Sequence, residues 1–177
     1  MAAESAREKV LDSYERILID HGEKAATLEQ VAAGAGVSKG GLLYHFRDKA
    51  ALAEGLLERL VALSEQDAEE MAAAPDGPSA YYLRTSVFED SPLDHAIIAA
   101  TRLDSLPAER RREAFAQTQE RWLELITAEV EDPAIARAIL LMGDGLYYNA
   151  SLGAQGDEPQ RQIAELIGVV EKLKNQR

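Results

Sequence analysis

Apolar positions along this chain recur every three to four residues, and no stretch alternates convincingly over the length of a strand. Val10, Leu11, Tyr14, Ile17 and Leu18 fall on one helical face behind the capping-box pattern Ser5-x-x-Glu8, and His21-Gly22 ends that segment. Thr27-x-x-Gln30 opens a second, short segment with Val31, Ala32 and Ala35, broken at Gly34-Ala35-Gly36. Ser38 can cap a third segment reaching Phe46. Asp48 can cap a fourth, whose stripe is Leu52, Leu56, Leu57, Leu60 and Leu63. Ala74-Pro75-Asp76-Gly77-Pro78 is the strongest loop signal. Beyond it, Ser91-Pro92, Asp132-Pro133 and Asp157-Glu158-Pro159 each set a capping side chain ahead of an early proline, where the missing N–H costs nothing; Ser105-Leu106-Pro107 is a looser version. The pattern predicts an all-α chain of about nine helices, near 5–21, 27–34, 38–45, 48–72, 79–89, 92–104, 107–130, 133–153 and 158–174.

Composition narrows the class. With 46% hydrophobic residues, the 177-residue chain can bury a core and is not a disordered sequence. No 18-residue run is uncharged and apolar, so no membrane span is expected, and MAAESAREKVLD lacks the apolar region of a secretory signal. The absence of cysteine excludes disulfides and thiolate chemistry and fits a cytoplasmic protein. Three histidines, His21, His45 and His95, are too scattered for a histidine-rich metal site, and neither metal nor cofactor is expected. A net charge of −12 argues at first against a nucleic-acid partner. Its distribution weakens that objection: residues 1–50 hold 7 Lys/Arg against 8 Asp/Glu, whereas residues 51–177 hold 12 against 23. Phosphate contact depends on local charge, so DNA binding would come from a small surface in the first 50 residues.

That surface is legible in TLEQVAAGAGVSKGGLLYHFRDKAAL, residues 27–52. Two short helices joined by a tight glycine-containing turn form a helix-turn-helix pattern, whose second helix enters the major groove. Val31, Val37, Leu42 and Phe46 are the expected anchors, and Ala32 and Gly36 are small where helices must cross. Thr27 and Ser38, each at a helix start, can offer a hydroxyl and amides to phosphates. Gly40 and Gly41 each cost about 1 kcal/mol against alanine in a helix, so they need a reason, and close approach of backbone to DNA is one. Lys39 can reach a guanine edge or a phosphate. Tyr44 and His45 carry an O–H and an N–H suited to phosphates. Lys49 opposes the dipole at the start of the fourth helix, which makes sense if it faces an anion outside the protein.

The run VSKGGLLYHFRDKAAL resembles the DNA-binding signature of the TetR/AcrR transcriptional regulators, with the likeness covering roughly residues 7–60. The resemblance implies an all-helical homodimer: a small DNA-binding domain, here residues 1–50, joined by helix four to a ligand-binding and dimerisation domain, here 51–177. It implies DNA contacts at Thr27, Ser38, Lys39, Gly40, Gly41, Tyr44, His45 and Lys49. Leu43 stands where many members place an aromatic hydroxyl; it cannot donate but can touch a thymine methyl. Leu28 replaces a polar contact of some members and reads as core. Most members are repressors released from a pseudo-palindromic operator by a small molecule, with reading heads about 34–36 Å apart or a multiple of that. Helix four is the natural lever between the domains.

Other readings compete for the same residues. GAGVSKGG is not a P-loop, because Lys39 precedes Gly40 and the upstream segment is helical; a dinucleotide fingerprint fails at Lys39. Glu89, Asp90, Asp94 and His95 could hint at a metal, but a capped helix start explains the acids equally well. Seven of ten aromatics lie from Tyr81 onward, so a pocket could be lined by Tyr82, Phe88, Phe115, Trp122 and Tyr147, with His95, Arg102 and Asn149 as polar partners; the alternative is an ordinary helical core. A dimer face is expected on the last two helices, through Ile139, Met142 and Leu146 and through Ile163, Leu166, Ile167 and Val170, with Gly143, Gly145, Ala150 and Gly153 allowing close approach. An enzyme or ligand carrier built as a helical bundle is the alternative class, and an activator shares the same DNA chemistry. The expectation is a regulator without catalytic chemistry.

Overall fold

The structure is a computed structural model that describes residues 5–151 and 158–174. Among these lie nine helices and no strand: α1 (Ala6–His21), α2 (Leu28–Gly34), α3 (Lys39–His45), α4 (Lys49–Ala72), α5 (Pro78–Thr85), α6 (Pro92–Thr101), α7 (Ala108–Val130), α8 (Pro133–Ser151) and α9 (Glu158–Lys174). No helix of the described residues is long and apolar enough to cross a membrane. The cap expected at Asp157 and the small residue Gly153 lie outside the described residues.

Helix starts follow the sequence closely. Ser5, Thr27 and Ser38 accept the backbone N–H of Glu8, Gln30 and Gly41. Asp48 accepts from Ala51 N at 2.7 Å, and Asp132 from Ala134 N and Ile135 N. At Ser5 and Thr27 only this half of the box forms, because the Glu8 carboxylate lies against Arg7 and Arg59 and the Gln30 oxygen accepts from the Thr27 hydroxyl. The reciprocal box forms at α6, where Asp94 accepts from Ser91 N and Ser91 accepts from Asp94 N. Two ends come earlier than expected. α5 stops at Thr85 because the Ser86 hydroxyl takes the Tyr82 carbonyl, and the chain then turns through Asp90, at φ 61°, into the Ser91 cap. α6 stops at Thr101 because Arg102 N and Leu103 N bond three residues back, to Ala99 and Ala100.

Packing divides the chain into two compact units. The first combines residues up to Leu63 with Asp90–Ala116. Val10, Leu11, Tyr14, Leu18, Val31, Leu42, Leu52, Leu56, Leu57 and Leu60 fill its core with Ala96, Ala99, Ala100 and Leu103. α1 lies against α2, α3 and α6. Of the small residues expected at helix crossings, Gly36 acts differently. Gly36 meets nothing that a Cβ would touch and is needed for its φ of +66°, whereas Gly34 is the close crossing, its missing Cβ leaving room for the Ser13 hydroxyl. Gly55 of α4 receives the Phe46 ring in the same way. Arg59, also on α4, reaches Asp12 at 2.5 Å, Glu15 at 3.5 Å and Glu8 at 3.8 Å on α1. Glu15 is 3% exposed, and burial, only partly opposed by Arg59, pushes its carboxyl up to about 7.

The second unit comprises Ser64–Glu89 and the chain from Gln117 onward. There α5 packs on α8 and α9. Tyr82, Trp122, Ile126, Val130, Ile139, Leu140, Leu146, Ile163 and Val170 are buried. A Cβ on Gly143 would run into the Tyr82 ring and the Ser86 hydroxyl, so this glycine lets α8 close on α5. Gly77 offers no side-chain cap to α5, and Glu129 of α7 supplies it by accepting from Ser79 N at 2.7 Å and from the Ser79 hydroxyl. Lys174 of α9 pairs with the same carboxylate at 2.5 Å.

Candidate nucleic-acid interface

The α2–turn–α3 element is held from behind. Leu42 and Phe46 are buried on the inner side of α3, Val31 and Ala32 on that of α2, and Leu28 is half-buried against the same core. This leaves Ser38, Lys39, Gly40, Leu43, Tyr44 and His45 on the exposed side. Tyr44 is 86% exposed, so packing between helices does not explain it, and its ring meets that of His45 edge-on at 5.1 Å. Leu43 is 38% exposed. At Gly40 an added Cβ would find only the Ser38 oxygen, at 3.9 Å, and nothing in the chain's own packing requires glycine there. Gly41 is tighter, with the Ser38 oxygen at 3.3 Å.

Both lysines of the site have partners within the chain. Lys39 lies 2.5 Å from Glu29 of α2, and this exposed pair holds the Glu29 carboxyl below its usual range. Lys49 differs from the expectation of a cation turned outward. It is half-buried and donates to the Glu23 backbone carbonyl at 2.6 Å, because that carbonyl in the α1–α2 turn reaches over the start of α4. Thr27 is exposed beside α2 and Ser38 beside α3, each with its oxygen already accepting a cap hydrogen bond.

Sequence reasoning missed the Glu23 side chain. It is 8% exposed and binds the turn between α6 and α7, with Oε2 accepting from Ser105 N at 2.9 Å and from Asp104 N, and Oε1 from the Ser105 hydroxyl. A lone acid in HGEK carries no signal of this, since its partners lie about 80 residues away.

The residues expected around a ligand are divided between the units. Phe115 packs on the core of the first unit, Arg102 donates to the carbonyls of Leu18 and Ile19, and His95 Nε2 lies 2.7 Å from Asp90. Asp94 is occupied as a cap and Asp90 lies against His95, and no group of side chains that could hold a metal is found among the described residues. In the second unit Tyr82 donates to Asp144 at 2.9 Å, Gln119 to the same carboxylate at 3.1 Å, and Trp122 Nε1 to Asp67 at 2.8 Å, with Tyr81 on Asp67 at 3.1 Å. Burial raises both aspartates above the usual carboxylate range. The Tyr82 and Trp122 rings are 5.5 Å apart. Tyr147 is half-buried, while Phe88 and Asn149 are exposed. A shallow depression on α7, lined by Glu120, Leu123, Glu124, Thr127 and Ala128, contains none of these side chains.

The residues of the expected dimer stripe are largely covered within their own chain. Ile139, Leu146, Ile163 and Val170 are buried within their own chain, and Met142, Leu166 and Ile167 are half-buried. Among the described residues of this unit, large apolar side chains are exposed at Leu141 (62%), Tyr148 (63%), Val169 and Phe88. Leu141, Gly145 and Tyr148 share one face of α8.

A capped pair of short helices joined by a tight turn, followed along the chain by a helical bundle, is a helix-turn-helix arrangement. The family of bacterial regulatory proteins of the tetR type matches residues 10–56, and the tetracyclin repressor-like C-terminal domain matches residues 77–171. The chain belongs to the TetR family. The HTH-type transcriptional repressor Rv1474c of Mycobacterium tuberculosis (strain ATCC 25618 / H37Rv) is 36% identical over 67 residues, 38% of this chain and 32% of that protein. The HTH-type transcriptional repressor BepR of Brucella suis biovar 1 (strain 1330) is 27% identical over 101 residues, 57% of this chain and 44% of its own. The chain thus spans less than half the length of either relative. The fold is shared with the multidrug binding protein EbrR complexed with malachite green, at TM-score 0.72 and 23% identity over 96% of this chain and 98% of that one. A TetR-family regulator from Rhodococcus sp. gives 0.71 and 20% identity over 97% and 100%.

Proposed function

We propose that the protein is a transcriptional repressor that grips a pseudo-palindromic duplex operator as a homodimer and lets go when a small molecule occupies its second unit. The observation that carries this reading is the exposed face of α3, where Lys39, Tyr44 and His45 surround a glycine that the chain's own packing does not require. In this reading Lys39 exchanges Glu29 for a base edge or phosphate, Tyr44 and His45 hold phosphates, Leu43 touches a base, and Gly40 admits the DNA backbone. Thr27, Ser38 and Gly41 complete the contact, and Lys49 leaves the Glu23 carbonyl for a phosphate. An exposed ion pair contributes ~0–1 kcal/mol, so DNA displaces Glu29 easily.

The dimer face is proposed on the outer sides of α8 and α9, with Leu141, Gly145 and Tyr148 at its centre and Val169 and Gly168 beside them; a Cβ at either glycine would meet nothing within the chain. The ligand is placed beside Tyr82, Trp122, Asp67 and Asp144, where aromatic faces and carboxylates converge within one unit. EbrR, which shares the fold, was captured with malachite green, and this supports a ligand-binding second unit here. Electrophoretic mobility shifts with the promoter flanking the protein's own gene test the DNA reading. Lys39→Ala together with His45→Ala is expected to weaken binding roughly tenfold to a hundredfold. Unchanged affinity would remove these residues from the interface.

A further inference from the structure

We propose that Glu23 is a positioning residue that decides whether Lys49 is available to DNA, under the control of the turn between α6 and α7. The inference rests on the proposed phosphate contact of Lys49. Glu23 is buried in the α1–α2 turn and acts through both ends. Its carboxylate takes the Asp104 N–H, the Ser105 N–H and the Ser105 hydroxyl, with the Tyr14 hydroxyl at 3.4 Å. Its carbonyl takes Lys49 Nζ at 2.6 Å. Burial acts to raise the Glu23 pKa, but the donors of Ser105 and Asp104, with Lys49 close by, outweigh it and hold the group ionised. Lys24 is exposed, and Arg102 is committed to the carbonyls of Leu18 and Ile19.

A buried carboxylate must be compensated, and the two available compensations compete for one lysine. With the α6–α7 turn docked, three donors satisfy Glu23. Lys49 then holds only a neutral carbonyl, which an anionic phosphate outcompetes. When the turn withdraws, Glu23 loses these three donors together and keeps only the Tyr14 hydroxyl at 3.4 Å. Lys49 is the neighbouring cation that can replace them, and it is drawn inward away from the duplex. Turn docking and DNA binding therefore favour each other, and by linkage DNA must tighten the turn as much as the turn strengthens DNA binding. Ser105 lies just ahead of α7, and α7 runs on to Val130 in the second unit, so a change of state there has a covalent path to this clamp.

The test uses the full chain and a fluorescent duplex from the promoter flanking the protein's own gene, with anisotropy titrations over a range of KCl and thermal melts to confirm folding. Lys49→Met should lower the slope of log K against log salt by about 0.9 for each phosphate that the protein no longer neutralises. Ser105→Ala, which removes one donor, should weaken binding roughly threefold to tenfold and lower the slope in the same direction. In the Lys49→Met background Ser105→Ala should change nothing. Glu23→Gln removes the charge that pulls the lysine inward, so its affinity should equal or exceed that of the unaltered protein at an unchanged slope. A Ser105→Ala effect that persists without Lys49, or a Glu23→Gln variant that is folded yet binds more weakly, overturns the proposal. Absence of duplex binding by the unaltered chain would instead refute the DNA reading on which it stands.

Discussion

Gly40→Ala separates the fold from its use. Within the folded chain the new methyl meets only the Ser38 oxygen at 3.9 Å, an ordinary contact, and Gly40 sits at a right-handed helical position. The native state therefore costs nothing extra, while the unfolded chain loses freedom and the helix gains propensity, a stabilisation of about 0.4–1 kcal/mol. For a chain of this size that raises Tm by roughly 1–4 °C. If α3 lies against DNA with Gly40 at the contact, the same methyl must push the surfaces apart. A loss of roughly tenfold to a hundredfold in duplex affinity is expected from one displaced contact per half-site. The two effects have opposite signs, which no general destabilisation can mimic. Calorimetry and anisotropy on one preparation measure both. A variant that is more stable and binds as tightly as before would refute the assignment. Gly41→Ala should differ in the sign of its stability effect: its methyl stands 3.3 Å from the Ser38 oxygen that caps α3, so it should cost up to about 0.5–2 kcal/mol of stability if the cap is displaced.

Three further outcomes are expected. Glu15 is protonated in both states below its unfolded value of 4.5 and ionised in both above about 7, so its burial subtracts stability progressively as pH rises through that window. Glu15→Gln should gain about 3 kcal/mol on the unaltered protein between pH 4.5 and pH 8 in urea unfolding; a difference constant with pH would refute this. Gly143→Ala drives a methyl into the Tyr82 ring and should cost about 1–3 kcal/mol, read as a lower urea midpoint. Leu141→Glu, on the exposed face of α8, should give a folded monomer in sedimentation velocity, whereas Ile139→Glu should unfold the chain, because Ile139 is 0% exposed. A dimeric, folded Leu141→Glu protein would move the interface elsewhere.

What the sequence discloses is local. Ser5, Thr27, Ser38, Asp48 and Asp132 cap the helices they precede because a cap needs only a short side chain and the next three residues. The exposed face of α3 follows in the same way once Leu42 and Phe46 are read as anchors. Contacts that join distant segments leave no such mark. Nothing near Gly77 announces that Glu129 caps α5, and nothing in HGEK announces Ser105. Periodicity also finds a stripe without saying what covers it. α8 has apolar residues on two sides, and both Ile139 and Leu141 fit a helical repeat, yet one is buried and the other 62% exposed. Glycines are legible as exceptions and illegible as reasons: Gly36 serves a dihedral, Gly34 a crossing, and Gly40 neither.

The charge of the reading surface has a physical logic. Lys39 and Lys49 each rest on an oxygen of the protein, Glu29 in one case and the Glu23 carbonyl in the other, so an incoming phosphate must take the place of a partner already bound. Non-specific affinity for DNA grows with the number of phosphates neutralised, and an acidic molecule with tethered lysines keeps that number small. In the proposed interface, a site that also presents the right base edges to Leu43 and Lys39, and admits the backbone at Gly40, would supply the extra interaction that makes exchanging these partners favourable. In the proposed reading, the net charge of −12 would work toward discrimination, because it lowers the background against which a few good contacts are measured. Glu29→Gln should accordingly raise affinity for arbitrary duplex more than for the promoter, and an equal rise for both would show that the pair has no part in selecting sequence.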